Sequence, residues 1–142
     1  MNKQGPIILI DDDVDDLESF TEVIMGITKV HEVIPFSNSD AALTYLTDNS
    51  DVNPFLILSD INLPKLSGIE LRDKIRNNEE IRLRCIPYLF FTTAIGQKDL
   101  IDAYSKSIQG FFIKPSDYNE LKDIMKAIIT YWGFCKAPNY VA

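Results

Sequence analysis

Short apolar runs recur along the chain at residues 7–10, 30–36, 55–58, 88–92 and 110–113, and several of them do not alternate. "IILI", "PFLIL" and "YLFF" leave no polar position to face water. A strand with one wet face alternates, whereas a strand in a helix-covered parallel sheet is apolar on both sides. Segments of helical spacing separate the runs. The clearest is Leu121, Ile124, Met125, Ile128, Ile129 and Trp132, which line one helical face, with Ser116 or Asp117 placed to cap it. A second such helix runs through Ala42, Leu43 and Leu46, with Asn38 or Ser39 as its cap. Five strands alternating with five helices predict an open, doubly wound α/β sheet. No linker, repeat or low-complexity tract divides the 142 residues, which read as one domain with a core over about residues 6–132 and a short tail, 133–142.

Composition narrows the function classes. The formal net charge of −7 argues against direct binding of nucleic acid, which rests on a basic surface. Lys74, Arg76, Arg82 and Arg84 cluster, but as a solvated helix end and loop. One histidine, His31, and two cysteines, Cys85 and Cys135, without a CxxC, exclude a zinc site of ordinary ligand count. The cysteines read as buried small hydrophobes of a reducing compartment. The first apolar run is four residues long and ends in aspartates, so neither a signal peptide nor a membrane span is expected, and the protein reads as cytoplasmic.

The strand ends carry the chemistry. "IILIDDDVDD" sets Asp11, Asp12, Asp13, Asp15 and Asp16 directly after the first strand. Two unit charges about 4 Å apart repel by roughly 4 kcal/mol at an effective dielectric near 20, so such a cluster needs solvent, protons or a cation. The third strand runs into Asp60, in "LILSDINLPKLSG"; the fourth into Thr92 and Thr93, in "LFFTTAIG"; the fifth into Lys114, in "GFFIKPS". In open α/β sheets ligands bind beyond the carboxyl ends of the strands. Carboxylates, a hydroxyl and an ammonium from four segments therefore meet at one edge.

Other readings of the aspartates fit less well. An EF-hand loop would place Asp11, Asp13, Asp15 and Glu22 at its first, third, fifth and twelfth positions, but Asp16 stands where the turn needs glycine and a strand precedes the loop. A phosphatase of the haloacid-dehalogenase type would use Asp11 and Asp13, but expects a later acidic pair and a cap. A flavodoxin would want a Ser/Thr/Gly loop to cradle phosphate, which consecutive aspartates repel. Helix capping accounts for Asp15 and Asp16, but not for Asp60 and Lys114 at the same edge.

"ILIDDD", "LILSDINLPKLSG", "FFTTA" and "GFFIKPSD" together resemble the successive signatures of two-component response-regulator receiver domains, over about residues 7–132. The resemblance implies the flavodoxin-like strand order 2-1-3-4-5. It implies that Asp60 accepts a phosphoryl group and that Asp11, Asp12 and Asp60, with the backbone carbonyl of Asn62, hold Mg²⁺. Thr93, followed by the small Ala94, would be the switch hydroxyl. Lys114 would be the lysine before a cis-proline, Pro115, and Phe111 the aromatic that turns inward as Thr93 moves. Phe111 lacks the hydroxyl of a tyrosine, no tryptophan follows Asp60, and Ile95 cannot orient a hydrolytic water.

The implied partners are a sensor histidine kinase or a histidine phosphotransfer protein, and a protein target. A phosphorylation-dependent homodimer is compatible with them. The stretch 76–93 and the "YWGF" ending resemble the small regulators associated with phytochromes. The expected function is a stand-alone regulator that catalyses its own phosphorylation and slow dephosphorylation; the alternative is a pseudo-receiver acting only as an interaction module. The aromatic ending, Trp132, Phe134 and Tyr140, is expected to pack on its own domain, with a place on the phosphorylation-dependent surface as the alternative.

Overall fold

In the computed structural model, residues 1–93 and 95–138 are described; Ala94 and residues 139–142, Tyr140 among them, lie outside the described residues. The elements follow in the order β1 (Ile7–Ile10), α1 (Val14–Ile27), β2 (Val33–Phe36), α2 (Ser39–Asp48), β3 (Leu56–Ser59), α3 (Gly68–Asn77), α4 (Glu79–Arg82), β4 (Tyr88–Thr92), α5 (Gln97–Ser105), β5 (Gly110–Ile113) and α6 (Tyr118–Phe134). The sheet is five-stranded, all parallel, in the order β2-β1-β3-β4-β5. One helix more than expected is present. The single turn α4 is too short to show a hydrophobic period, and it forms because Asn78 accepts from the Ile81 N–H at 3.1 Å.

The non-alternating runs are explained by two cores. Ile7 and Leu9 of β1, Leu56 and Leu58 of β3, and Leu89 and Phe91 of β4 face α1 and α6, where Phe20, Ile24, Leu121, Met125 and Ile128 meet them. Ile8, Ile10, Ile57, Tyr88 and Phe90 face the other way, onto α2, α3 and α5 through Ala42, Leu46, Leu71, Ile75 and Ala103. Each fully buried Leu, Ile or Phe contributes about 1.5–3 kcal/mol, so replacing one of them by an unpaired polar residue would cost stability on either face. Because side chains alternate between faces, the two cores also fix the facing of every residue at the strand ends.

Caps end the helices where turn chemistry allows. Asp13 caps α1, Asn38 caps α2, and Asp117 caps α6, each accepting from backbone N–H groups of the first turn. Ser67 and Glu70 form a capping box at α3. The cysteines depart from expectation: Cys85 is exposed, in a left-handed turn (φ 52°), and Cys135 is partly buried. Arg84 is buried, not solvated, and donates to the Val52 carbonyl at 3.4 Å. His31 is also buried, its Nδ1 2.8 Å from the Gly5 carbonyl and its ring stacked on Phe55, at the amino-terminal end of the sheet.

Gly68 sets the loop that follows β3. Its N–H donates to the Ile61 carbonyl at 2.8 Å, and its own carbonyl accepts from the buried Tyr88 hydroxyl at 3.1 Å. A Cβ here would stand 2.1 Å from the Asp60 carbonyl oxygen, a backbone atom that cannot step aside. Gly68→Ala is therefore expected to destabilise the fold by about 1–3 kcal/mol, read by urea denaturation, and to shift the amide resonances of Asp60 and Ile61.

Candidate phosphoacceptor and metal site

The carboxyl edge of the central strands assembles the site. Asp11 follows β1 and Asp60 follows β3, and each continues its ladder by one bond: the Asp11 N–H donates to the Phe36 carbonyl at 3.1 Å and the Asp60 N–H to the Ile10 carbonyl at 2.8 Å. Both side chains are consequently buried, with Asp11 at 3% and Asp60 at 6% exposure. Asp12 is exposed beside them. One carboxylate oxygen from each of Asp11, Asp12 and Asp60 lies within 4.8 Å of the others. Asn62 is exposed on the loop, and its N–H donates to Asp60 Oδ1 at 3.2 Å.

Lys114 holds the cluster together. It follows β5, with its N–H on the Thr92 carbonyl at 2.7 Å. Its Nζ lies 2.6 Å from Asp11 Oδ2, 2.8 Å from Asp16 Oδ2 and 3.0 Å from Asp60 Oδ2. Burial alone would lower its pKa, but the bonds to Asp11, Asp16 and Asp60 outweigh that and raise it, so Lys114 is charged. Burial pushes the Asp11 pKa up, and the nearby Asp60 charge adds to this; the Lys114 ammonium and the Asp13 N–H, 2.9 Å from Asp11 Oδ1, oppose it.

Three expectations need correction. The hydroxyl on the phosphoacceptor candidate is that of Thr92, not Thr93. Thr92 is fully buried with Oγ1 2.5 Å from Asp60 Oδ1, whereas Thr93 is exposed. The reason is strand parity: Thr92 shares a face with Phe90, which is paired with Phe111, so Thr93 must point away. Phe111 is partly buried, 6.0 Å by ring centroids from Phe90 and 6.2 Å from Tyr104. Second, Asp16 is more than a helix-start residue, because one turn into α1 it reaches Lys114. Third, the Lys114–Pro115 peptide is trans: no cis bond occurs among the described residues. Trans is the favoured X–Pro isomer by about 0.5–1 kcal/mol, and Lys114 reaches all three carboxylates with it.

The donor set fits a hard divalent cation. All the clustered donors are carboxylate oxygens, and neither His31 nor a cysteine is near, which suits Mg²⁺ or Mn²⁺ rather than zinc. The EF-hand reading is not supported, since Asp13 caps α1, through the N–H groups of Asp15 and Asp16 at 3.0 and 3.2 Å, and a strand precedes it.

The two threonines separate in a stability measurement. Thr92→Val removes a charge-assisted bond from buried Asp60 and is expected to cost about 1.5–3 kcal/mol in metal-free protein. Thr93→Val, on the surface, should stay within about 0.5 kcal/mol of the parent by the same denaturation assay.

Comparison with known proteins agrees with this fold. The chain is 37% identical over 86 residues to the probable methanogenesis regulatory protein FilR2 of Methanothrix harundinacea, covering 60% of this chain and 54% of that protein, so it spans about half of FilR2. It is 29% identical over 135 residues to response regulator Rcp1 of Synechocystis sp., covering 92% of this chain and 90% of Rcp1. Among solved structures, the phosphorylated cyanobacterial phytochrome response regulator RcpA superposes with a TM-score of 0.85 at 26% identity, covering 95% of this chain and 99% of RcpA. The Mn²⁺-bound form of Rcp1 superposes at 0.80 with 27% identity, covering 94% and 99%. The family model for the response regulator receiver domain matches residues 7–126. With the 2-1-3-4-5 sheet and the acidic edge in place, the chain belongs to the response regulator receiver domain family of two-component systems.

Proposed function

We propose that the protein accepts a phosphoryl group on Asp60 from the phosphohistidine of a sensor kinase or phosphotransfer protein, in a Mg²⁺-dependent reaction, and signals by phosphorylation-dependent protein binding. The observation that carries this is the convergence on Asp60 of the Lys114 ammonium at 3.0 Å and the Thr92 hydroxyl at 2.5 Å, beside the Asp11 and Asp12 carboxylates. Phosphorylated RcpA and Mn²⁺-bound Rcp1, both similar along nearly their whole length, support it. The proposal takes residues 1–142 as a single receiver domain; no described helix is long and apolar enough to cross a membrane.

An oxygen of Asp60 attacks phosphorus, forming a P–O bond as the P–N bond of phosphohistidine breaks and its electron pair leaves on the imidazole nitrogen. Asp11, Asp12 and Asp60, with the Asn62 carbonyl, would hold Mg²⁺, which when bound supplies charge neutralisation for the phosphoryl oxygens. Lys114 pairs with the charge that arrives on the phosphoryl group, and positioning of this kind supplies most of the catalysis in phosphoryl transfer. Thr92 gives up its bond to Asp60 and turns its hydroxyl to a phosphoryl oxygen. Phe111, between Phe90 and Tyr104, moves into the space vacated, and the face formed by α5, β5 and α6, with Tyr104 and Lys122, changes shape. Such a ligand shifts an equilibrium only through its different interaction with the two states, and the Thr92 bond supplies that difference.

Incubation with acetyl phosphate, with and without EDTA, followed by intact mass measurement tests the acceptor. A mass gain that the chelator abolishes and that is absent in Asp60→Asn is expected; a gain in Asp60→Asn defeats the assignment. Output is tested with beryllofluoride and sedimentation or partner binding. Thr92→Ala should still be phosphorylated but couple weakly, while Thr93→Ala should switch as the parent does. Full switching by Thr92→Ala would rule out the Thr92–Phe111 route. A surface that never responds would favour the pseudo-receiver.

A further inference from the structure

Asp16 lies at the third position of α1, one turn before Phe20. Its backbone N–H is taken by the Asp13 cap at 3.2 Å, which fixes the turn and leaves the side chain free to reach inward. Its Oδ2 is 2.8 Å from Lys114 Nζ. An ammonium has three donors. Here Asp11, Asp16 and Asp60 take one each, and the Phe20 ring lies 5.8 Å from Nζ, within the range of a cation–π contact. Helix α1 thus holds Lys114 by a carboxylate and an aromatic face. Exposed ion pairs contribute little, but the Lys114 side chain is only 11% exposed, against 33% for Asp16.

We propose that Asp16 is a positioning residue for Lys114, holding the ammonium to α1 while its third bond passes from Asp60 to the phosphoryl group. This rests on the reading of Asp60 as phosphoacceptor. When Asp60 becomes an acyl phosphate, the Lys114–Asp60 bond is the one that must be redirected. Asp11 and Asp16 keep the other two donors occupied, so the ammonium turns through a short arc. Without Asp16 one donor is free, and Lys114 divides its time between Asp11, Asp60 and water. Asp16 contributes no atom to the acidic cluster of Asp11, Asp12 and Asp60, so its role is toward the lysine.

Two variants and two readouts test this. Asp16→Ala removes the acceptor, whereas Asp16→Asn keeps a carbonyl oxygen there. In metal-free protein the side-chain ammonium of Lys114, observed by ¹H–¹⁵N NMR, should be slowed in exchange in the parent, lost to fast exchange in Asp16→Ala and partly restored in Asp16→Asn. With acetyl phosphate at saturating Mg²⁺, Asp16→Ala should be phosphorylated roughly 10- to 100-fold more slowly, the scale of displacing a catalytic group by a fraction of an ångström to one ångström, and Asp16→Asn should recover part of the loss. A helix-capping role would lower the unfolding midpoint without moving the ammonium resonance. An Asp16→Ala resonance as protected as the parent's, a parental rate in Asp16→Ala, or equal losses in the two variants would overturn the proposal. If the parent protein itself takes no phosphoryl group, the phosphoacceptor reading fails, and the ammonium resonance alone decides for or against Asp16 as the residue that holds Lys114.

Discussion

The ion cluster around Lys114 is the interaction on which the carboxyl edge of this protein depends. Asp11 and Asp60 are buried within a few ångströms of each other, an arrangement that like-charge repulsion alone would break. One ammonium, bonded to both and to Asp16, offsets that repulsion and is itself kept charged by them. Removing one partner of such a buried set leaves an uncompensated charge, which costs far more than breaking a surface pair. The cluster is also left with an excess of negative charge, with Asp12 beside it and open to solvent, so it is suited to a divalent cation as well.

The fold exists, in functional terms, to deliver these groups from distant parts of the chain. Parallel strands place the ends of β1, β3, β4 and β5 along one edge, and main-chain bonds extend the ladders into the site. Asp60 is tied to Ile10, and Lys114 to Thr92. The hydroxyl and the ammonium that touch Asp60 are therefore joined to each other through the backbone. Behind them the two cores give the strands no freedom to twist out of register. The loop after β3 is held by Gly68, close against the Asp60 carbonyl and bonded to Tyr88. Arg72, over the Tyr88 ring, donates to the Lys106 and Ser107 carbonyls, which ties α3 to β4 and to the turn after α5.

Much of this was legible in the sequence because it depends on local chemistry. Runs without alternation demanded two-sided burial, and β1, β4 and β5 begin and end where the apolar runs do. Asn38 and Asp117 could be read as caps because a short side chain before a helical period has few other uses. The acidic run, Asp60 and Lys114 stood at strand ends, and parallel sheets put strand ends together. Their types indicated a cluster that needs solvent, protons or a cation, and the phosphoryl acceptor followed only from the resemblance to receiver domains.

What the tertiary structure decided was which neighbour of two. Thr92 and Thr93 are the same residue type in sequence, and a strand's period of two sends them to opposite faces; only the pairing of Phe90 with Phe111 shows that Thr92 is the one on Asp60. Asp15 and Asp16 likewise look alike as acidic residues in a first helical turn, but a step of about 100° around α1 turns Asp16 toward Lys114, 98 residues away. The isomer of the Lys114–Pro115 bond is set by differences of about 1 kcal/mol that no local pattern encodes. Residue type and spacing determined that carboxylates, a hydroxyl and an ammonium would gather at one edge. Facing, which is a property of packed elements, determined which of them touch.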